Sequence, residues 1–124
     1  ASKLVGVGGI SACLKESYVT YSNEVKEKIL GVKKETIEKY GVVSGETVGE
    51  MLKGLKNISG SDLCIATSGY AGPGEGAGKV FFGVLYKDRV HIEEKLYQGP
   101  RNDIRARTAN DAILTAYKIL KEEN

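Results

Sequence analysis

Two residues near the start of the sequence, Tyr21 and Lys26, have types and a spacing that could do chemistry. Tyr21 ends an alternating stretch, and Lys26 follows in the helical pattern opened by Ser22 and Asn23, within YVTYSNEVKEKILGV, residues 18–32. A lysine acts as a general base only when it is neutral, which requires burial or a neighbouring positive charge to lower its pKa. The first turn of a helix acts in that direction. In so lysine-rich a chain, spacing alone favours an ordinary surface lysine.

A glycine-rich segment, TSGYAGPGEGAG at residues 67–78, follows a run typical of a buried strand. Ligands of open α/β sheets bind beyond the carboxyl ends of strands, and glycines let backbone N–H groups approach an anion closely. The segment is neither a Walker loop nor a dinucleotide fingerprint, because no Gly-Lys-Ser/Thr ends it and a strand pattern follows it. A phosphate-binding loop and a flexible connection both fit this pattern.

Three arginines lie in the first two turns of the last predicted helix, in GPRNDIRART at residues 99–108. Arg101 and Arg105 are four residues apart and share one face, whereas Arg107 points elsewhere. Basic residues oppose the dipole at a helix N-terminus, so a role other than helix stability is indicated. An anionic ligand is one such role. Pairing with Asp103 is the structural alternative.

The elements that would position these residues form an α/β pattern. Glycine stops and apolar periodicity predict helices at residues 1–5, 23–30, 32–41 and 101–121, and a further helix that begins after the N-cap Ser44 and has apolar positions from Val48 to Ile58. Strands are predicted at residues 14–21 and 63–67, followed by a hairpin with its turn at residues 87–89. We expect a single-domain α/β/α sandwich with a mixed β-sheet flanked by helices.

Composition narrows the function classes. The net charge is only +2, and lysines alternate with glutamates, which argues against nucleic acid as a partner. No apolar run is long enough to span a bilayer, so no membrane partner is expected. Cys13 and Cys64 lie in apolar contexts typical of buried free thiols, from which we expect a cytoplasmic protein. The Cys, His and Asp residues do not have the spacing of a metal site, so no metal is expected. The single histidine, His91, is predicted to face outward from a strand.

Four ordered blocks together carry a resemblance that no single motif carries: VTYSNEVKEKILGV, YGVVSGETVGEM, ATSGYAGPGEG and QGPRNDIRARTANDAI. They resemble the CinA C-terminal domain family, the nicotinamide-nucleotide amidases. These enzymes hydrolyse the carboxamide of nicotinamide mononucleotide to give nicotinate mononucleotide and ammonia. The resemblance covers nearly the whole chain. It implies an α/β domain that acts on a small-molecule substrate without a metal or an organic cofactor.

The resemblance also implies site residues. The family uses a serine nucleophile, a lysine base and an assisting tyrosine, and the last two fall on Lys26 and Tyr21. The residues implied to bind substrate are Ser22, Asn23, Thr67, Ser68, Gly69, Gly72, Gly74, Arg101 and Arg105. The arginines would hold the phosphate or the carboxamide side of the substrate.

The sequence departs from the family pattern at its start. The family's nucleophilic serine lies in a Glu-Ser-x-Thr-Gly-Gly segment, and residues 1–20 resemble the part that follows it. We therefore expect residues 1–124 to be an amidase domain without its N-terminal strand and nucleophile segment, which would belong upstream. The alternative is a catalytically inactive relative that binds a nucleotide ligand or a partner. The sequence does not decide between a monomer and a homo-oligomer, since a missing edge strand would expose a sheet edge that a second copy could cover.

Overall fold

A computed structural model describes residues 1–123 of the chain. Side-chain caps and glycines set the bounds of two of the helices. Ser22 caps the N-terminus of the helix that Gly31 ends, and Ser44 caps the N-terminus of the helix that Gly60 ends; both glycines are in the left-handed conformation. In chain order the elements are α1 (Ser2–Val5), a 3-10 helix (Ile10–Ala12), α2 (Asn23–Leu30), α3 (Lys34–Tyr40), α4 (Gly45–Ser59), β1 (Leu63–Gly69), β2 (Lys79–Tyr86), β3 (Arg89–Leu96) and α5 (Arg101–Glu123).

The sheet has three strands in the order β1-β2-β3, and each neighbouring pair is antiparallel. Its register aligns Ala66 with Gly83 and Gly83 with Ile92. The α/β fold class is confirmed, but the described part of the sheet is antiparallel instead of mixed. The reason is connectivity: the glycine-rich segment and the turn at residues 87–88 join neighbouring strands directly, and parallel neighbours need a long crossover.

Helices cover both faces of the sheet. On one face α4 packs through Val48 and Leu52, and Gly83 allows this close approach because a Cβ there would lie 2.8 Å from Leu52 Cδ1. The other face of β2 presents Phe82, which is fully buried, toward the side on which α5 contacts β2 and β1. The inner face of α5 repeats every four residues, as expected from helical periodicity: Ile104, Thr108, Ala112 and Ala116.

The strand predicted at residues 14–21 is wrong. These residues form no regular element, and Val19 and Tyr21 are 85% and 82% exposed. Alternation of side chains shows which residues would share a face, but a strand also needs a hydrogen-bonding partner, and neither edge of the described sheet pairs with this segment. The cysteine expectation is half correct, since Cys64 is buried and Cys13 is exposed.

Within residues 1–123, no helix combines the length and the apolar character needed to cross a bilayer.

Candidate functional site

Lys26 is a buried lysine that bonds to backbone oxygens. Its side chain lies on α2 and is 6% exposed. The ammonium nitrogen Nζ donates to the carbonyl oxygen of Thr20 at 2.7 Å and to that of Tyr21 at 3.3 Å. The turn that presents these carbonyls is fixed by Ser22, whose Oγ accepts the N–H of Val25 at 3.2 Å and so begins α2. Local helix capping therefore places the lysine against the preceding segment.

Burial changes the acid–base behaviour of this lysine. It lowers the pKa of Lys26 below the ordinary lysine value, because desolvation disfavours the charged form. Among residues 1–123, no carboxylate forms an ion pair with Lys26 that would oppose this lowering of its pKa. The position near the start of α2 acts in the same direction as burial. Burial therefore shifts the acid–base equilibrium of Lys26 toward the neutral amine, the direction that a general base requires.

Tyr21 contacts Lys26 through its backbone instead of its hydroxyl. The Tyr21 side chain is 82% exposed, and its carbonyl oxygen is the group that accepts from the lysine. Ser22 and Asn23 are also exposed and flank this contact at the beginning of α2. The Tyr21 side chain is therefore accessible to a molecule bound at the protein surface. Its catalytic role stays a prediction.

The glycine-rich loop is the tip of the β1–β2 hairpin. Thr67 is exposed and Ser68 is half-buried near the end of β1, where Ser68 Oγ donates to the carbonyl oxygen of Val42 at 2.8 Å. Beyond Gly69, the loop turns through Gly72 and Gly74, whose φ angles of 89° and 132° favour glycine. The loop is therefore shaped by its glycines and tied to the α3–α4 connection.

Arg101 joins the start of α5 to this loop. Its Nη1 donates to the carbonyl oxygen of Gly72 at 2.8 Å, and because the two residues are 29 positions apart in the sequence, the contact is a tertiary one. Arg105 instead bonds within its own helix, to Asn102 Oδ1 at 3.2 Å. Both guanidinium groups are exposed. Because a guanidinium has five N–H donors, each keeps donors for an anion at the surface.

The predicted site residues thus form two groups. The first, the lysine cluster, comprises Lys26 with residues 20–23; the second, the loop cluster, comprises residues 67–74 with Arg101. Arg105 bonds within α5 and belongs to neither group. No hydrogen bond or ion pair within residues 1–123 joins the two. They share a scaffold, since α2 packs on α4 and α4 packs on β1 and β2. Lys26 and the glycine-rich loop are therefore held by one packed core.

Sequence reasoning missed a polar contact beside the loop. Tyr97, directly after β3, donates its hydroxyl to Asp111 Oδ2 on α5. No periodicity relates a strand end to a helix, so the sequence carried no signal for this pair. A cavity of about 350 Å³ was also unanticipated; it lies between β3 and α5 and includes none of the predicted site residues. No group of His, Cys, Asp and Glu side chains in residues 1–123 could hold a metal ion.

Comparison with known sequences gives a family. The model of the CinA C-terminal domain matches residues 1–120. A CinA-like protein of Fusobacterium nucleatum is 47% identical over 99% of this chain, and a putative competence-damage inducible protein of Clostridium kluyveri is 42% identical over 91% of it. The chain spans 31% and 29% of the lengths of these two relatives. The similarity therefore concerns one region of longer proteins.

Comparison with solved structures agrees with the sequence match. A CinA superfamily protein of Klebsiella pneumoniae superposes with a TM-score of 0.93 at 29% identity, over 98% of this chain and 79% of that one. A CinA superfamily protein of Escherichia coli gives a TM-score of 0.92 at 27% identity, over 95% of this chain and 72% of that one. The arrangement of helices and strands described above is shared with these proteins.

Proposed function

Since this chain belongs to the CinA C-terminal domain family, we propose that it is the domain that hydrolyses nicotinamide mononucleotide to nicotinate mononucleotide and ammonia. The observation that carries the proposal is the buried Lys26, whose lowered pKa suits a general base. An ordinary surface lysine would be solvated and charged at neutral pH. The reaction belongs to pyridine-nucleotide salvage, and a phosphorylated substrate together with two free cysteines fits a cytoplasmic protein.

The reaction we propose is acyl transfer through a serine supplied by a segment that precedes Ala1 in the full protein. Neutral Lys26 takes the proton of the serine hydroxyl as the serine oxygen attacks the carboxamide carbon. Backbone N–H groups stabilise the oxyanion of the tetrahedral intermediate. The C–N bond then breaks, and ammonia leaves with the proton that Lys26 took from the serine, passed on directly or through the Tyr21 hydroxyl, so that Lys26 is neutral again. Water hydrolyses the resulting ester, with Lys26 again as base, and releases nicotinate mononucleotide.

Substrate binding is assigned to the residues around the two clusters. The loop cluster and the nearby Arg105 would bind the substrate phosphate. Arg101, Arg105 and backbone N–H groups near Gly72 and Gly74 would donate hydrogen bonds to it. Thr67, Ser68 and Gly69 would line the same crevice from β1, and Ser22 and Asn23 would line it from α2. No metal or organic cofactor is needed for this chemistry.

Ammonia release from nicotinamide mononucleotide by the full protein tests the proposal. We expect Lys26→Met to lower kcat by about a hundredfold or more, the range typical of a removed general base. Lys28→Met is the matched control, because Lys28 lies on the same helix and is exposed. Equal turnover in wild type and Lys26→Met would remove the lysine from the mechanism. Binding of the nucleotide without any ammonia release by the wild type would favour a ligand-binding domain instead of an enzyme.

A further inference from the structure

Tyr97 connects the last strand to the last helix at the base of the glycine-rich loop. Its hydroxyl donates to Asp111 Oδ2, and both residues are half-buried. Burial, followed by the Asp111 carboxylate, raises the pKa of Tyr97, so the hydroxyl keeps its proton and remains a donor. A hydrogen bond to an ionised carboxylate is among the stronger ones in proteins. The Tyr97 ring is therefore fixed to α5.

The backbone of Tyr97 meets the loop on its other side. Its N–H donates to the carbonyl oxygen of Gly78 at 2.8 Å, and the N–H of Gly78 donates to the carbonyl oxygen of Tyr70 at 2.6 Å. A Cβ at Gly78 would lie 1.9 Å from the Tyr97 carbonyl oxygen, so only glycine allows the two backbones to come this close. Both ends of the loop, at residues 70 and 78, are thus linked to Tyr97.

Arg101 supplies a second attachment from the same helix, through its hydrogen bond to Gly72. Arg101 and Asp111 are ten residues apart on α5, which corresponds to about 15 Å along a helix. The helix therefore holds the loop at two separated points, directly at Gly72 and through Tyr97 at Gly78. Two separated contacts restrain the loop's orientation as well as its position.

We propose that Tyr97, held by Asp111, is a positioning residue that keeps the glycine-rich loop in the conformation that binds the substrate phosphate. This inference rests on the proposed function. Tyr97 acts through the loop backbone and not on the reacting carboxamide. Losing its anchor should therefore weaken nucleotide binding and leave the chemical step unchanged.

The experiment combines hydrogen exchange of residues 70–78 with calorimetric binding of nicotinamide mononucleotide to the full protein. In Tyr97→Phe we expect loop exchange to be about tenfold faster and Kd about tenfold higher, the effect of losing one hydrogen bond to a charged group. Asp111→Leu should behave in the same way, whereas Asp111→Asn, which keeps an acceptor, should stay near wild type. Tyr117→Phe on the exposed face of α5 is the matched control.

The outcomes separate the inference from the proposed function. Unchanged loop exchange in Tyr97→Phe, or faster exchange with unchanged Kd, would overturn the positioning role alone. Weaker binding with an unchanged melting temperature, rescued in Asp111→Asn, would support it and would exclude a merely structural role. A wild type that binds no nucleotide would overturn both. A wild type that binds the nucleotide but releases no ammonia would overturn the proposed reaction, while the Kd values would still decide the role of Tyr97.

Discussion

Gly54 is a position where α4 packs tightly against the backbone of α2, and its replacement by alanine should displace α2. A Cβ at this position would lie 1.8 Å from the carbonyl oxygen of Leu30 and 2.6 Å from its carbonyl carbon. Leu30 is the last residue of α2 and lies one turn beyond Lys26. The obstacle is backbone, so a side-chain rotation cannot relieve it. Gly54→Ala must therefore separate the two helices.

Two opposing free energies set the size of the effect. Alanine favours a helix interior over glycine by about 1 kcal/mol. Overpacking typically costs about 1–3 kcal/mol, and a backbone obstacle belongs at or above the upper end of that range. We therefore expect Gly54→Ala to lose about 2 kcal/mol of unfolding free energy. The matched control is Gly49→Ala in the same helix, where the nearest atom, Ile92 Cδ1, lies at an ordinary 3.5 Å. Without a clash, it should gain up to about 1 kcal/mol.

Urea unfolding of the two variants measures this difference directly. We expect Gly49→Ala and Gly54→Ala to differ by about 3 kcal/mol in unfolding free energy, with opposite signs relative to wild type. A Gly54→Ala protein as stable as wild type would refute the close packing of α2 on α4. Because α2 carries Lys26, the destabilised variant should also expose that lysine to solvent.

Other single-residue changes test the pKa shifts and a helix cap. Because burial lowers the pKa of Lys26 below the ordinary 10.5, the unfolded chain binds more protons at this residue than the folded chain, and the free energy of unfolding should rise with pH up to about 10.5. Urea unfolding of Lys26→Met should not show this rise. A rise equal to that of the wild type would contradict the pKa shift. The hydrogen bond from His91 lowers the pKa of Glu93 below 4.5, so its stabilisation is present above that value and lost as pH falls. Glu93→Gln should then lower the free energy of unfolding by less than about 1 kcal/mol at neutral pH and leave it unchanged in strong acid. Equal losses at the two pH values would contradict the pKa shift of Glu93. Ser44→Ala removes the oxygen that accepts the Thr47 N–H at 3.1 Å, and thermal unfolding should show a loss of about 1–2 kcal/mol; an unchanged transition would show that the cap is not made.

Local rules explain most of the elements that the sequence predicted. A side-chain acceptor at Ser22 and at Ser44, followed by an apolar period of 3.6, marks a helix start whatever the tertiary context. The hairpin turn between β2 and β3 is equally local. Residues 14–21 show the limit of such rules, since alternation cannot tell whether a partner strand is available. Pairing depends on residues distant in the sequence.

The candidate site likewise has features that the sequence predicts and features that depend on tertiary packing. Residue types and the family resemblance pointed to Lys26, but its burial depends on the packing of α2 against α4, which Gly54 permits. The contact between Arg101 and Gly72 and the contact between Tyr97 and Asp111 join elements whose spacing in the sequence carries no period. These long-range contacts follow from the assembled sheet and helices, so the sequence alone could not specify them.

The titration of the Lys26 amine tests the central claim most directly. With lysines labelled by ¹³C at the ε-carbon, its chemical shift followed against pH reports the pKa of each amine, and Lys26→Met assigns the signal. We predict that Lys26 titrates below the ordinary lysine value of 10.5. A Lys26 signal that titrates at or above 10.5 would contradict the claim that burial prepares this residue as a base.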